Sequence, residues 1–505
     1  MEILSRILRG IHKRNQVSYH PKCGRLGLNH LIFADDLMIL VRGDTPSVAA
    51  VTHSLDYFAK VSGLQANPEK TNIYMGGVRE DVKQEILRTT GYMEGTFPFI
   101  YLGVPLNEGK LNKSMFADLL TKVQQTLHHW STQTLSYAGK ISLLNTVIFG
   151  LEQFWCSTLL IPKGVIKMIT KFCRNFLWNT DEGTKKMVMK IWVTCCKPVH
   201  EGGFNIKEVL AWNKCLICKW IWDIDQNSDS SWAAWNYLYN IKTDSFWTMI
   251  PKNYHAESWK SILKVRDDLL QKHGTVAAVQ AVLQSCVKKG KLCLSLVYDQ
   301  IRDKEEKVRW GRMVWIRTVL PKHSVIMTLA LQRKLATVDQ LNKKGMVLVN
   351  RCVLCKAALE THKHLFFNCS YSATIWLQLL QWMRILGRSN QLREKIAWIS
   401  SRRAKKHWKQ NWFLGYLSTL VYSLWEERNC RIFRGYGAPK WWRSAQPGHS
   451  AASWGHAPWG RESTGKGESL GQSKRAQVQP GLPWTASPYG ALEVGEVSAA
   501  APQAR

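Results

Sequence analysis

The spacing of apolar positions divides the first part of the chain into short helical and strand-like segments. Apolar residues recur every three or four positions in MEILSRILRG and in SVAAVTHSLDYFAKVSGL, which predicts two amphipathic helices. Between them, LNHLIFADDLMIL sets apolar runs on both sides of Asp35 and Asp36, which predicts a strand pair with two carboxylates at its turn. TNIYMGG and FPFIYLGVPL also have the character of strands. Residues 1–110 are therefore predicted to mix small helices and strands.

The pattern becomes helical in residues 111–222. Four apolar residues recur there at intervals of four: Met115, Leu119, Val123 and Leu127. They follow Asn112, a possible N-cap, and such a stripe is typical of a helix that packs against a core. Residues 223–305 are polar and rich in tryptophan with weak periodicity, and we assign them only as a linker region. The fold class predicted from these segments is α+β.

The end of the chain divides into two parts of very different composition. Residues 306–436 are again helical in pattern and enclose a cluster of cysteines. Residues 437–505 hold 10 Gly and 7 Pro and contain no Ile, Phe, Met, Cys, Asp or Asn. Such a segment cannot bury enough apolar surface to offset the entropy lost on ordering, so we predict a disordered tail.

The composition of the chain indicates a class of binding partner and a cellular compartment. The 505 residues carry 69 Lys and Arg against 37 Asp and Glu, a formal net charge of +32, and 24 tryptophans. Basic and aromatic side chains suit the phosphates and bases of RNA or DNA, although solvated surfaces and packed cores use them too. Thirteen scattered cysteines without a visible secretory signal favour a reducing, intracellular location, cytoplasmic or nuclear. No apolar run is long enough to span a membrane.

The first candidate for chemistry is the pair Asp35 and Asp36. Two adjacent carboxylates at the end of apolar strands require a turn open to water or a cation that offsets their charge. Two-metal nucleotidyl transfer uses carboxylates to hold divalent cations about 4 Å apart. The pair alone is compatible with both an ordinary turn and a metal site.

The surrounding segments resemble the reverse transcriptase of non-LTR (LINE-type) retrotransposons, especially the plant forms. The resemblance is carried by FADD, by GLQANPEKTNIYMGG and by YLGVPL, and it continues in LSYAGKISLLNTVIFGL, KFCRNFLWN and CKPVHEGGFNIKEVLAWNKCLICKWIW. It implies that residues 1–110 are part of a polymerase palm and that residues 111–222 are a thumb-like or connection region. Asp35 and Asp36 would then be catalytic ligands of Mg²⁺. Lys70 would donate a proton to pyrophosphate, unless it is a solvated turn lysine.

The same resemblance implies an incomplete polymerase. A two-metal site needs a further carboxylate from an earlier strand, and the only acidic residue before Asp35 is Glu2. We therefore expect the fingers and the first catalytic strand to be absent from this sequence, so that Mg²⁺ would be held weakly. A partner chain that supplies the missing part would change this expectation.

The second candidate is the segment RCVLCKAALETHKHLFFNC. Cys352 and Cys355 form a C-x2-C motif that is followed by His364 and Cys369. Three thiolates and one imidazole at this spacing predict a closed structural Zn²⁺ site, against the alternative that they line a helical core. His362 could also be a ligand. The resemblance favours His364, because HLFFNC matches the zinc-binding region that follows plant LINE-type reverse transcriptases, and LWEERNCRIF matches the end of that region.

Three functions are compatible with these features. The first is a fragment of an RNA-directed DNA polymerase, with vestigial Mg²⁺ ligands and inactive alone. The second is a zinc-containing protein that binds RNA or DNA without catalysis, for which binding would depend strongly on salt. The third is an inert product of a decayed transposable element.

Overall fold

The computed structural model describes residues 2–13, 17–107, 109, 111–131, 135–179, 188–343, 345, 349–382 and 407–433. The tail predicted to be disordered lies outside these ranges. The chain divides into two compact units. One comprises Met1–Val349 with Gln391–Tyr422, and the other comprises Asn350–Asn390 with Ser423–Arg505.

Helices account for most of the described chain. In chain order they are α1 Glu2–Lys13, α2 Thr45–Ser62, α3 Glu80–Thr90, α4 Ala117–Ser131, α5 Tyr137–Leu143, α6 Phe149–Thr158, α7 Lys163–Trp178, α8 Trp192–Cys195, α9 Val209–Asp225, α10 Ser231–Asn236, α11 Glu257–His273, α12 Val276–Ser285, α13 Leu294–Ile301, α14 Gly311–Val314, α15 Pro321–Leu331, α16 Val338–Asn342, α17 Ser370–Trp382 and α18 His407–Phe433. No helix in the described ranges combines the length and the apolar character needed to cross a membrane.

The strands are short and pair only two by two within the described residues. They are β1 His30–Phe33, β2 Asp36–Ile39, β3 Asn72–Ile73, β4 Met93–Glu94, β5 Phe99–Tyr101, β6 Val104–Leu106, β7 Val287–Lys288 and β8 Lys291–Leu292. The pairs β1–β2, β5–β6 and β7–β8 are antiparallel, and β3–β4 is parallel. The protein is therefore mixed but mostly helical. Assignment of these elements to a palm and a thumb stays a prediction.

The β1–β2 hairpin predicted from the sequence is present and lies on a small apolar core. The core consists of residues from α1, the following loop and α2: Leu4, Leu8, Ile11, Val17, Val51 and Phe58. Leu37 and Ile39 of β2 pack against it. The other end of the hairpin, which carries Asp35 and Asp36, is exposed. Packing of Leu37 and Ile39 against this core favours the register that leaves the two carboxylates in water.

The predicted stripe in residues 111–222 is confirmed over most of its length. Leu119, Val123 and Leu127 are buried along α4. Met115 is only half-buried, because it lies in a single 3₁₀ turn, Ser114–Phe116, before the α-helix begins. Its N–H donates to Asn112 Oδ1 at 3.2 Å, so Asn112 caps that turn.

Residues 223–305, assigned from the sequence only as a linker region, contain all of α10, α11, α12 and α13. Their weak periodicity has a physical cause in α11, where Arg266 occupies a buried position. Its guanidinium donates to Met249 O at 2.8 Å and to Asp267 Oδ1 at 2.6 Å. A charged residue whose donors are satisfied in this way can replace an apolar one in the core, so a hydrophobic pattern misses the helix.

Candidate metal centre

The first two ligand candidates are held by a tight turn in the second unit. Lys356 N–H donates to Cys352 O at 2.8 Å, and Cys352 N–H donates to Ala358 O at 2.8 Å. Lys356 adopts a left-handed conformation with φ of 60°, which reverses the chain immediately after Cys355. The two thiols of the C-x2-C motif are thereby brought to one side of the turn.

The other two candidates lie at the ends of one π-helical turn, His364–Asn368. Cys369 N–H donates to His364 O at 2.8 Å, a bond that spans five residues and is typical of π-helix. Leu365 and Phe366 between them are buried and anchor the turn. His364 N–H is satisfied by Thr361 Oγ1 at 3.1 Å. The extra residue per turn places His364 and Cys369 on the same side of the backbone.

The four side chains converge. One ligand atom from each of Cys352, Cys355, His364 and Cys369 lies within 4.8 Å of all the others. Cys352 Sγ and Cys369 Sγ are 3.9 Å apart, and Cys355 Sγ and His364 Nε2 are 3.3 Å apart. A tetrahedral Zn²⁺ with Zn–S bonds of about 2.3 Å and Zn–N bonds of about 2.0 Å separates its ligand atoms by roughly 3.5–4 Å. The donor set and its spacing therefore fit zinc, and four protein ligands leave no position for water.

The two buried sulfur atoms of the cluster have opposite pKa shifts. The hydrogen bond that Cys352 Sγ donates to Cys369 Sγ lowers the pKa of Cys369 and raises the pKa of Cys352. Backbone N–H groups of Tyr371 and Ser372, in the first turn of α17, also point at Cys369 Sγ and lower its pKa. Both sulfurs are buried, and a bound cation would favour the thiolate forms that zinc ligation requires.

A buried ion pair ties the loop between the second cysteine and the histidine to the last helix. Glu360 lies between Cys355 and His364, and its carboxylate accepts from Arg428 Nη2 at 2.6 Å and Nε at 3.1 Å. Both side chains are almost completely buried, at 0% and 1% exposure. The guanidinium also lies over the Trp425 ring, 4.9 Å from its centre. The pair therefore supports residues 351–369, which we call the metal loop, from α18 without itself being a ligand.

Sequence reasoning did not identify this support. Glu360 is the only carboxylate in residues 350–382, and that isolation was the one available signal. Arg428 lies within LWEERNCRIF, the segment that resembles the end of the zinc-binding region. On the same helix Arg431 donates to Glu427 Oε1 at 2.7 Å, and its guanidinium lies 5.0 Å from the centre of the Tyr371 ring.

Asp35 and Asp36, the candidate Mg²⁺ ligands of the hairpin, are arranged differently from the candidate zinc ligands. Phe33 pairs with Asp36, so Ala34 and Asp35 form a two-residue turn, with Ala34 at φ of 52°. Within the described part of the chain, no third His, Cys, Asp or Glu gathers with the two carboxylates to make a metal site. Asp44, the next acidic residue along the chain, accepts from Ser47 N–H at 2.9 Å as the N-cap of α2. A Mg²⁺ site at the hairpin stays a prediction.

Lys70 lies in an exposed turn that follows Pro68. Its backbone N–H donates to Asn67 O at 3.2 Å, and Asn67 Oδ1 accepts from Glu69 N–H at 2.9 Å. No hydrogen bond or ion pair joins the Lys70 side chain to Asp35 or Asp36 in the described chain. Its catalytic role stays a prediction.

Comparison with known proteins gives two matches. Residues 294–376 match the family described as zinc-binding in reverse transcriptase, and all four ligand candidates lie in this range. A protein of Arabidopsis thaliana named as a ribonuclease H protein is 30% identical over 162 residues, which are 32% of this chain and 26% of that protein. The chain thus spans about a quarter of the length of this relative.

These matches support a retroelement protein as the class of this chain. The match of residues 294–376 supports a zinc-binding region of the reverse-transcriptase type, and the convergence of the four ligand atoms agrees with it. The LINE type and the plant origin implied by the resemblance stay predictions.

Proposed function

We propose that this chain is part of a retrotransposon RNA-directed DNA polymerase of the LINE type, in which the second unit is a zinc-structured module that binds RNA or DNA. The observation that carries the proposal is the convergence of three thiols and one imidazole inside the matched zinc-binding region. A closed four-ligand site orders a small segment but offers no open coordination position, so its role is structural.

The charges around the centre support a nucleic-acid partner. Arg351, Lys356 and Lys363 flank the ligands in sequence and are exposed. The carboxylate nearest to them in sequence, Glu360, is buried and neutralised by Arg428. The exposed surface of the metal loop is therefore cationic, and exposed cations attract phosphates through a sequence-independent, salt-sensitive interaction.

The proposal is tested by zinc analysis and nucleic-acid binding on the full chain. We expect one zinc per chain, and binding of fluorescent 20-nucleotide RNA or DNA that weakens steeply with salt. The variant Arg351→Gln/Lys356→Gln/Lys363→Gln should keep its zinc and lose affinity. With up to three phosphate contacts removed, the slope of log Kobs against log salt should become shallower by about 2 to 3.

Cys355→Ser provides the structural arm of the same experiment. It should abolish stoichiometric zinc and weaken binding together, since the cationic loop is no longer ordered. Cys430→Ser, a buried cysteine outside the ligand set, is the matched control and should retain both. Absence of zinc from the wild-type chain would contradict the proposed zinc-structured module. Unchanged nucleic-acid binding in both Cys355→Ser and Arg351→Gln/Lys356→Gln/Lys363→Gln would also contradict it.

We further propose that the residues of this sequence do not polymerise DNA by themselves. Asp35 and Asp36 are exposed on the hairpin, and the described chain brings no third ligand to them. Two carboxylates of a required three would hold Mg²⁺ too weakly to stabilise the charge that develops during transfer. Primer extension on an RNA template with Mg²⁺ should therefore give no product.

Polymerase activity completed by a partner chain is the second candidate, because the FADD hairpin is formed and its carboxylates face water. Extension that Asp35→Asn/Asp36→Asn abolishes would support it and would contradict the proposal of inactivity.

A further inference from the structure

Helix α7, in the first unit, presents a straight row of cationic side chains. The row consists of the exposed residues Lys163, Lys167, Lys171 and Arg174. Intervals of four, four and three residues keep all of them on one face of an α-helix. The row is about 16 Å long, which corresponds to about five phosphates along one strand of a duplex.

The rest of the helix fixes this row in place and adds no opposing charge. The face opposite the row is buried by apolar residues: Val165, Ile166, Ile169, Cys173, Phe176 and Leu177. Lys140 of α5 is buried and donates to Phe176 O at 2.8 Å, which satisfies a carbonyl in the last turn. α7 contains no acidic residue; of the helices packed against it, α4 contains Asp118 and α9 contains Asp223 and Asp225.

Most of the row is available to an outside partner. Lys163, Lys167 and Arg174 make no ion pair with any residue among those the structure describes. Like charges at i and i+4 destabilise a helix, so Lys163 and Lys167 repel each other across one turn of α7. A polyanion laid along the row would convert that repulsion into attraction.

We propose that the exposed face of α7 is a binding surface for the phosphodiester backbone of a nucleic-acid strand, separate from the zinc-structured module. The inference rests on the proposed function for its partner class and adds a second, zinc-independent contact in the other unit. An anionic membrane fits less well, because the apolar face that would enter the lipid is already buried against the protein.

The test is the salt dependence of binding by the full chain. Lys163→Gln/Lys167→Gln/Lys171→Gln/Arg174→Gln is compared with wild type on 20-nucleotide RNA and DNA, single-stranded and duplex. If all four cations contact phosphates, the slope of log Kobs against log salt becomes shallower by about 3.6 on duplex DNA and about 2.8 on single strands. Zinc content should stay unchanged, and the strand type with the larger loss of affinity identifies the source of the phosphates.

A matched variant removes four exposed lysines elsewhere in the first unit: Lys264, Lys288, Lys289 and Lys291, each replaced by Gln. It has the same net charge as the α7 variant and should change the slope by less than about 1. Equal changes in the two variants would show diffuse attraction and overturn the α7 surface. An unchanged slope in the α7 variant would also overturn it.

Two further arms separate this inference from the proposed function. Lys167→Gln/Lys171→Gln should produce about half of the slope change, and it provides a milder variant if the fourfold one does not fold. Arg351→Gln/Lys356→Gln/Lys363→Gln reports on the zinc module in the same assay. A response of that variant without a response of the α7 variants refutes only the inference, whereas no binding by the wild-type chain refutes both.

Discussion

His362 and His364, which are separated by one residue, could each complete the cysteine set. The structure gathers His364 Nε2 with the three thiols, 3.3 Å from Cys355 Sγ, and His362 is not a member of that group. We therefore expect His364→Ala to lose zinc during dialysis and His362→Ala to keep one zinc per chain. Loss of one of four ligands opens the tetrahedron to water and to chelators.

The measurement is zinc per chain by elemental analysis after dialysis against a weak chelator. Retention of zinc by His364→Ala together with loss of zinc by His362→Ala would show that His362, and not His364, is the ligand. Comparable losses in both would show that the turn tolerates neither substitution, and the ligand would then have to be identified from the histidine signals of a metal-bound sample.

At this scale the sequence predicted the four side chains that the structure brings together. The supporting residues Glu360 and Arg428 were missed because they lie far apart along the chain. Cys352 and Cys369 are 17 residues apart, so one turn and one π-helical segment can bring them together. Glu360 and Arg428 are 68 residues apart, and no local spacing reports that they meet. A long-range ion pair becomes visible only once the last helix is placed.

Among the elements of the second unit, the metal loop and the end of α18 depend on the Glu360–Arg428 pair. Glu360→Gln leaves a guanidinium buried with only a neutral partner, and breaking a buried pair typically costs about 3–5 kcal/mol. We expect the second unit to open more often, so that zinc transfers to a chromogenic chelator at least about 100-fold faster than from wild type.

The control for this prediction is Glu426→Gln. Glu426 is an exposed glutamate on the same helix, and a surface substitution of this kind changes stability by less than about 0.5 kcal/mol. Glu360→Leu/Arg428→Met should recover much of the lost stability, because no unpaired charge remains in the interior. Equal transfer rates for Glu360→Gln and Glu426→Gln would mean that the pair does not hold the loop.

The elements themselves were predictable where burial follows a simple period. The hairpin around Asp35 and Asp36 and helix α2 match the predicted strand pair and helical stretch, since each has one apolar face. Helix α11 was not predicted from the sequence because Arg266 occupies a core position. The π-helical turn at His364–Asn368 was not predicted either, because its irregular repeat is set by tertiary packing rather than by residue type.

At the scale of the whole molecule, two buried carboxylates of the described chain are each paired with an arginine and contribute no net charge to the surface. Glu201 is buried against Arg302, with Nη2 to Oε1 at 2.6 Å, and Glu360 is buried against Arg428. The formal net charge of +32 is therefore expressed on exposed lysines and arginines such as those of α7 and the metal loop. A cationic surface of this kind favours a polyanionic partner. The apolar pattern of the sequence, by contrast, predicts the fold and does not indicate a partner.

The last prediction concerns removal of zinc from the full chain. The apolar core of the first unit includes Leu119, Val123 and Leu144, whereas residues 350–382 have few buried apolar side chains besides those next to the metal ligands. Structural zinc contributes on the order of 10 kcal/mol to such small segments. Chelation should therefore abolish amide-exchange protection in residues 350–382 and 423–433 and leave it in α4 and α7, as measured by exchange mass spectrometry. Protection lost in both units would show that zinc stabilises the entire chain, and protection kept in both would show that the cysteine cluster folds without metal.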